Sequence, residues 1–232
     1  MKYLLSVPSY VIPGTWIQNV EYLANRNDIQ GVELLLFLWN EEIEREFLKE
    51  VDALAQYADR FVFSVHLPEA PLPMLKKIIA LTHSFTVSYC LHPPEHNAAC
   101  IELVQGLIEI EQTYQRSIIL ENTTLEALER MLACCNSVSP ENERPLCMDT
   151  AHLLEEGIQP IQFIEQYNSQ IKTIHLNDYC EYKSHEPLSP KSEWLLPCLP
   201  FFGSFTGTLE IELFDIHAIE ASLQYLNAIM KG

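Results

Sequence analysis

The sequence is poor in basic residues. It has 14 lysines and arginines against 32 aspartates and glutamates, which gives a formal net charge of −18 at pH 7. A negative field of this size repels phosphate backbones, so generic binding to DNA or RNA is disfavoured. No stretch approaches the apolar length of a membrane span. We therefore expect neither a nucleic-acid partner nor a membrane partner.

Paired cysteine motifs are also missing. The seven cysteines show no C-x-x-C spacing, and an odd, scattered set argues against both a disulfide framework and a zinc ribbon. We interpret most of them as small core residues in a reducing cytosol. The opening M-K-Y-L-L-S-V-P is too short for the apolar core of a signal peptide and is more typical of a first strand. These features favour a cytoplasmic protein.

Glycine-rich phosphate loops are absent as well. No Gly-x-Gly-x-x-Gly follows the first predicted strand, which disfavours an open dinucleotide-binding sheet. Apolar residues make up 48% of the chain and fall into eight short runs, most of them separated by helical patterns. Strands that are buried on both faces of a parallel sheet show such near-continuous runs. Eight units in 232 residues predict an α/β fold, a single (β/α)8 TIM barrel that spans 1–232.

The predicted elements alternate along the chain. The apolar runs lie at 4–7, 32–38, 61–67, 85–92, 117–121, 144–149, 171–178 and 207–214. Helical spacing of apolar residues is seen at 16–25, 41–58, 72–82, 98–112, 124–134, 160–167 and 216–229. The proline-rich segment 179–205 is predicted to be a long loop over the site.

Active sites of such barrels lie at the carboxyl ends of the strands. The third to eighth predicted strands each end in a residue that can bind a metal, and the sixth adds a second: His66, His92, Glu121, Asp149, His152, His175 and Glu212. Histidine and carboxylate ligands without cysteine suit Zn²⁺, Mn²⁺, Fe²⁺ or Co²⁺. Because the set exceeds the needs of a single ion, we expect one to two divalent transition-metal ions, with Glu121 able to bridge them.

Other acidic residues and histidines are assigned less directly. Glu33 and Glu210 lie inside predicted strands, and the sequence does not say whether they face the barrel lumen or the helices. The choice of Glu212 over Glu210 as the metal ligand depends on strand register. We expect the remaining histidines to be surface or packing residues without a role: His83, His96 and His217.

Five segments carry a family resemblance. S-V-H-L-P-E, L-H-P-P, L-E-N-T, M-D-T-A-H-L and I-H-L-N-D, in this order, resemble the xylose isomerase-like barrel superfamily, which includes sugar and sugar-phosphate isomerases and epimerases and the endonuclease IV type of abasic-site endonuclease. The resemblance implies that the strand-end residues named above are its metal positions. In the endonuclease-like branch a D-x-H triplet adds a third metal site. Here Lys183-Ser184-His185 stands in its place, so His185 is kept as a ligand and Lys183 could hold a phosphate oxygen.

Two chemistries remain open. In a phosphoesterase, His66, His92 and Glu121 hold one ion, and Glu121 joins Asp149, His175 and Glu212 around a second that activates a water. His152 and Lys183 are then further catalytic residues, and Lys183 and His185 bind the substrate. We prefer this hypothesis because it uses more of the residues, and the acidic charge favours a small phosphorylated substrate over DNA. The alternative is a sugar isomerase or epimerase in which Glu121 and Glu212 move a proton at carbon. A barrel that keeps the ligands only for binding is a third possibility.

A narrower resemblance concerns the opening of the chain. P-S-Y-V-I-P, N-V-E-Y-L-A and G-V-E-L-L-L-F are similar to the first part of bacterial cobamide-remodelling phosphodiesterases, which cleave the nucleotide loop of a corrinoid. This resemblance implies a cobamide substrate whose ring face could pack against Trp194, Phe201 and Phe202 of the predicted loop. The sequence leaves the oligomeric state open.

Overall fold

The computed structural model describes residues 2–94 and 100–230. Its strands are β1 (Leu4–Pro8), β2 (Gly31–Leu35), β3 (Val62–His66), β4 (Thr86–Leu91), β5 (Ser117–Glu121), β6 (Leu146–Asp149), β7 (Ile171–Leu176), β8 (Asp178–Cys180), β9 (Lys183–Glu186) and β10 (Thr208–Ile211). The barrel closes in the order β1-β10-β7-β6-β5-β4-β3-β2, and its pairings are parallel. The predicted (β/α)8 TIM barrel of the α/β class is confirmed.

Helices alternate with the barrel strands. They are α1 (Trp16–Leu23), α2 (Glu41–Ala55), α3 (Leu72–Thr82), α4 (Cys100–Tyr114), α5 (Leu125–Val138), α6 (Thr150–Glu155), α7 (Pro160–Tyr167), α8 (Leu199–Ser204) and α9 (Ile216–Ile229). Asn40, Thr124 and Asp215 cap their helices by accepting hydrogen bonds from first-turn backbone N–H groups. The sequence pattern does not predict α6 and α8, because helices this short show no clear period. Within residues 2–94 and 100–230, no helix has the length and apolar character that crossing a membrane requires.

The barrel interior contains a polar layer beneath its carboxyl end. Residues two apart along a strand face the same side, so Glu210 and Glu212 both face the lumen. Ser6 Oγ donates to Oε2 of Glu210 at 3.2 Å, one layer deeper than Glu212. Glu33 is also buried in the lumen, where its Oε2 lies 3.4 Å from Nε2 of His175. The two acidic residues that the sequence left ambiguous therefore both face inward.

The segment 179–205 has more regular structure than the predicted loop. It contains most of the β8–β9 hairpin, a 3-10 helix at Glu193–Cys198 and α8. Leu195, Cys198 and Phe202 are buried, and the 3-10 helix packs against α7. Since these apolar residues join the core, the segment forms the packed connection between β7 and β10. Only its hairpin reaches the predicted site.

Candidate metal centre

Glu121, the last residue of β5, lies at the centre of the predicted ligands. Its Oε2 is 3.0 Å from Nε2 of His66 and 3.3 Å from Nδ1 of His175. Its Oε1 is 3.6 Å from both Nε2 of His92 and Nδ1 of His152. The side chain of Glu121 is only 1% exposed. The imidazoles at the ends of β3, β4 and β7 and at the start of α6 thus all lie close to one buried carboxylate.

Asp149 ends β6 and is also the N-cap of α6. Its Oδ1 accepts a hydrogen bond from the backbone N–H of His152 at 2.8 Å, which fixes the carboxylate at the strand end. Asn122, which follows β5, holds the same turn through two hydrogen bonds. It donates to the carbonyl of Asp149 at 3.0 Å and accepts from the amide of Asp149 at 2.8 Å. The Asp-x-x-His spacing is therefore a helix cap that places an acid and an imidazole at one rim.

His175 and Glu212 complete the buried part of the centre. Nδ1 of His175 lies 3.5 Å from Oε2 of Glu212. Asn177 donates from Nδ2 to Oδ2 of Asp149 at 3.2 Å and to Oε2 of Glu212 at 3.0 Å. This amide bridges two carboxylates that would otherwise only repel each other. Glu121, Asp149, His175 and Glu212, from four different strand ends, are thus linked by a chain of short contacts.

His185 arrives from the β8–β9 hairpin. Its backbone φ is 58°, in the left-handed region that non-glycine residues rarely adopt. This conformation brings Nε2 to 3.4 Å from Oε2 of Glu212. Glu181 and Tyr182, at the hairpin turn, also have positive φ, 54° and 66°. The hairpin thus delivers the imidazole of the Lys183-Ser184-His185 triplet to the centre through an unusual backbone.

Several other predicted residues are not brought to the centre. Lys183 is exposed, and neither Lys183 nor Trp194 lines the cavity at the metal centre. The Trp194 indole N–H instead donates to Oδ1 of Asp178 at 2.8 Å, and Phe202 is buried in the core next to Phe201. These aromatic residues are held away from the cavity because they cover the barrel between β7 and β10. His83 packs on Tyr114, His217 is exposed, and His96 lies outside the described residues.

Sequence reasoning missed four residues that support the ligands. The asparagines Asn122 and Asn177 directly follow β5 and β7, and their place in L-E-N-T and H-L-N-D is a signal that could have identified them. Cys90 Sγ donates to Oε2 of Glu121 at 3.0 Å, and Oε1 of Glu69 lies 3.2 Å from Nδ1 of His92. Nothing in the local sequence distinguishes Cys90 from a core cysteine.

A cavity of about 360 Å³ opens over these side chains. Four histidines line it: His66, His92, His152 and His185. Two aromatic rings form its apolar side, since Phe37 lies edge-on to His66 with ring centroids 4.5 Å apart and Phe214 lies 5.1 Å from His185. Among the described residues that line the cavity, none is a lysine or arginine.

The electrostatics of the centre reflect crowded carboxylates around buried imidazoles. Burial would raise the pKa of Glu121, but His175 and His66 outweigh it and hold this pKa well below its ordinary value. Burial raises the pKa of Glu212 well above its ordinary value, with Asp149 and Glu121 adding to the effect and His175 opposing it. A divalent cation would relieve the repulsion among these carboxylates.

The residues present fit a divalent metal ion. Both ring nitrogens of His175 are buried without a hydrogen-bond partner, an arrangement that costs free energy unless something else satisfies them. His66, Cys90, Glu121 and His175 offer ligand atoms within 4.8 Å of one another, and so do two sets that include Asp149: Glu121, Asp149 and His152, and Asp149, His185 and Glu212. Apart from the Cys90 thiol, which departs from the predicted cysteine-free set, these nitrogen and carboxylate donors suit Mn²⁺, Co²⁺, Fe²⁺ or Zn²⁺.

No family model and no curated protein matches the sequence, but solved structures do. An L-ribulose 3-epimerase has a TM-score of 0.72 at 10% identity, covering 99% of this chain and 95% of that chain. A xylose isomerase domain protein from Planctomyces limnophilus scores 0.69 at 14% identity, covering 99% and 97%. D-psicose 3-epimerase from Clostridium cellulolyticum H10, solved with D-tagatose, scores 0.68 at 11% identity, covering 99% of each chain. The xylose isomerase-like fold that the motifs indicated is thereby confirmed.

Proposed function

We propose that this protein is a divalent-metal-dependent isomerase or epimerase of a small sugar. The observation that supports the proposal is the chain of short contacts that links Glu121, Asp149, His175 and Glu212 at the carboxyl end of the barrel. This set suffices to hold an ion and to supply two carboxylates for proton transfer. Solved structures of the same fold are named as sugar epimerases, which supports the same chemistry here.

The cavity wall favours a neutral sugar over a phosphorylated one. Phosphate groups are usually held by arginine or lysine, and no described residue that lines the cavity is either of these. The exposed Lys183, to which the sequence assigned a phosphate, does not line it. For these reasons the isomerase or epimerase alternative now ranks ahead of the phosphoesterase that the sequence favoured.

The two glutamates account for the proton transfers. An ion held by the four residues would polarise the carbonyl group of a ketose and make the neighbouring C–H bond more acidic. One of Glu121 and Glu212 removes that proton, and the other returns a proton from the opposite face, which inverts the carbon. When the proton is taken instead from the terminal hydroxymethyl carbon, its return to the former carbonyl carbon, with transfer of the hydroxyl proton to the former carbonyl oxygen, gives the aldose. Asn177 orients Glu212 through its 3.0 Å hydrogen bond, and His185 stands beside it to contact a hydroxyl group.

A two-metal hydrolase is the second candidate. Both oxygens of Glu121 face imidazoles, with His66 and His175 on Oε2 and His92 and His152 on Oε1. A carboxylate that is flanked in this way suits a bridge between two ions. The simple isomerase mechanism leaves His66 and His92 only to position the substrate. For this reason the experiment below also includes phosphodiester substrates, among them a cobamide with its nucleotide loop.

The deciding experiment separates proton exchange at carbon from ester cleavage. The Mn²⁺- or Co²⁺-loaded protein is incubated in D₂O with a panel of ketoses, with bis(p-nitrophenyl) phosphate and with a cobamide, and products are followed by NMR. We expect a new epimer or aldose that carries deuterium at the exchanging carbon, and loss of this exchange in Glu212→Gln. A Glu109→Gln variant, changed on the exposed surface, is the matched control. Ester cleavage without any sugar conversion would overturn the proposal in favour of the hydrolase.

A further inference from the structure

A second and larger cavity adjoins the metal centre. Its volume is about 660 Å³, and we call it the apolar groove. The turns after β1 and β2, the start of α2 and the turn after β10 line it. Phe37 and Phe214 line both this groove and the cavity at the metal centre. A molecule that reacts at the centre can therefore extend past these two rings into the apolar groove.

Large apolar side chains are exposed in the apolar groove. Leu38 is 74% exposed, Tyr10 51%, Phe37 40% and Phe214 39%. Single exposed apolar residues are ordinary, but a contiguous group beside a concave site marks a binding surface. These four side chains come from three turns that are far apart in the sequence, so only the closed barrel assembles them.

Several polar groups of the apolar groove are already engaged. Ser9 Oγ accepts from the backbone N–H of Leu35 at 3.0 Å, and the Trp16 indole donates to the carbonyl of Leu35 at 3.2 Å. Glu46 pairs with Lys49, and Glu50 accepts from the backbone N–H of Ile17. The groove therefore offers mainly apolar contact. Its two glutamates also disfavour an anionic occupant.

We propose that the apolar groove binds a flat, apolar ring group that is covalently part of the substrate. The substrate class is then a ring-substituted sugar rather than a free monosaccharide, and this assignment rests on the proposed sugar chemistry of the adjoining centre. Phe37 links the two sites directly, because its ring is edge-on to His66 and also lines the groove. A ring held there would keep the sugar carbonyl near Glu121 and Glu212.

The test compares D-fructose with 6-O-(2-naphthylmethyl)-D-fructose, which keeps the carbonyl end of the sugar free. Affinities for the Mn²⁺-loaded protein are measured by calorimetry. We expect the naphthylmethyl sugar to bind at least about tenfold more tightly, the factor expected from burying part of one aromatic ring. The double variant Tyr10→Ser/Leu38→Ser should lose this gain and keep its affinity for D-fructose. Leu48→Ser, an exposed apolar residue of α2 that does not line the groove, is the matched control and should keep the gain.

Three results would overturn the inference: no saturable binding of the naphthylmethyl sugar, equal affinity for the two sugars, or a gain that survives in the double variant. Sedimentation that shows a dimer which the double variant dissociates would instead assign the groove to a second copy of the chain. The proposed function is tested separately, by using NMR to detect deuterium incorporation into the sugar in D₂O. A groove-dependent gain in affinity without deuterium exchange would leave the groove assignment standing and remove the isomerase.

Discussion

Nε2 of His175 lies 3.4 Å from Oε2 of Glu33, while Nδ1 of the same ring faces Glu121 and Glu212. The two groups are not hydrogen-bonded in this structure, but a carboxylate on this side of the ring would accept the Nε2–H once Nδ1 binds a cation, and it would then fix the tautomer. Glu33 is 1% exposed and is far from Glu121 in the sequence. The imidazole thus joins a supporting layer deep in the lumen to the layer that faces the cavity.

Glu33→Gln should weaken metal binding. Without the carboxylate behind His175, the orientation and basicity of the ring are less well set, and affinity should fall about 10- to 100-fold. Competition with a fluorescent chelator measures the change. Glu210→Gln is the comparison, since Glu210 is equally buried but accepts from Ser6. Glu210 also has a ligand atom within 4.8 Å of one of His175, so equal losses in both variants would show that the effect belongs to the buried acids in general and not to the position of Glu33.

The purified protein should contain one to two transition-metal ions per chain. Elemental analysis after growth in metal-supplemented medium measures this directly. Removal of the ions by a chelator should lower the melting temperature, because a ligand that binds only the folded state stabilises it. Protein that carries no metal after such growth, and whose melting temperature does not respond to added Mn²⁺, Co²⁺ or Zn²⁺, would contradict the metal centre.

Glu121→Gln should abolish turnover while the barrel stays folded. The amide keeps the shape of the side chain but cannot act as a base, and it binds a cation more weakly. Circular dichroism checks the fold, and deuterium exchange checks the activity. Glu109→Gln is the control, because Glu109 is 67% exposed and pairs with Lys76 on the surface. An active Glu121→Gln protein would remove this residue from the mechanism.

The cysteines should differ sharply in reactivity. Burial raises the pKa of the Cys198 thiol to about 12, so the group stays protonated, and unreactive, until the pH passes that value. Cys180 and Cys134 are only partly buried. Brief alkylation at mildly alkaline pH, mapped by mass spectrometry, should modify Cys180 and Cys134 well before Cys198. Rapid labelling of Cys198 in the native protein would argue against its place in the core.

Two glycines provide a matched test of packing. A Cβ at Gly207, just before β10, would lie 2.2 Å from the backbone oxygen of Lys172. Gly207→Ala should therefore lower the free energy of unfolding by about 1–3 kcal/mol. Gly203 in α8 has open space around the same position, so Gly203→Ala should be neutral or stabilising by up to about 1 kcal/mol. Chemical denaturation measures both. A Gly207→Ala variant as stable as the wild type would contradict the close approach of these strands.

The sequence by itself determined the barrel and identified most of the candidate metal-binding residues. Burial on both faces makes each strand an apolar run, and parallel strands all end at one rim, so His66, Glu121, Asp149 and His175 could be assigned to that rim without coordinates. These properties are local or follow from topology alone, which is why a single chain reveals them.

Only the tertiary structure decided the register of the strands and which side chains lie next to one another at the cavity. The position of Glu212 in the cavity wall, the inward position of Glu33 and the absence of Trp194 from that wall depend on how distant segments pair and pack. The apolar groove is assembled from Tyr10, Leu38 and Phe214, which show no shared pattern in the sequence. Strand pairing and barrel closure bring together residues that are distant along the chain, and side-chain packing sets their final positions. The pattern of residue types along a single sequence carries little information about these long-range contacts or about side-chain packing.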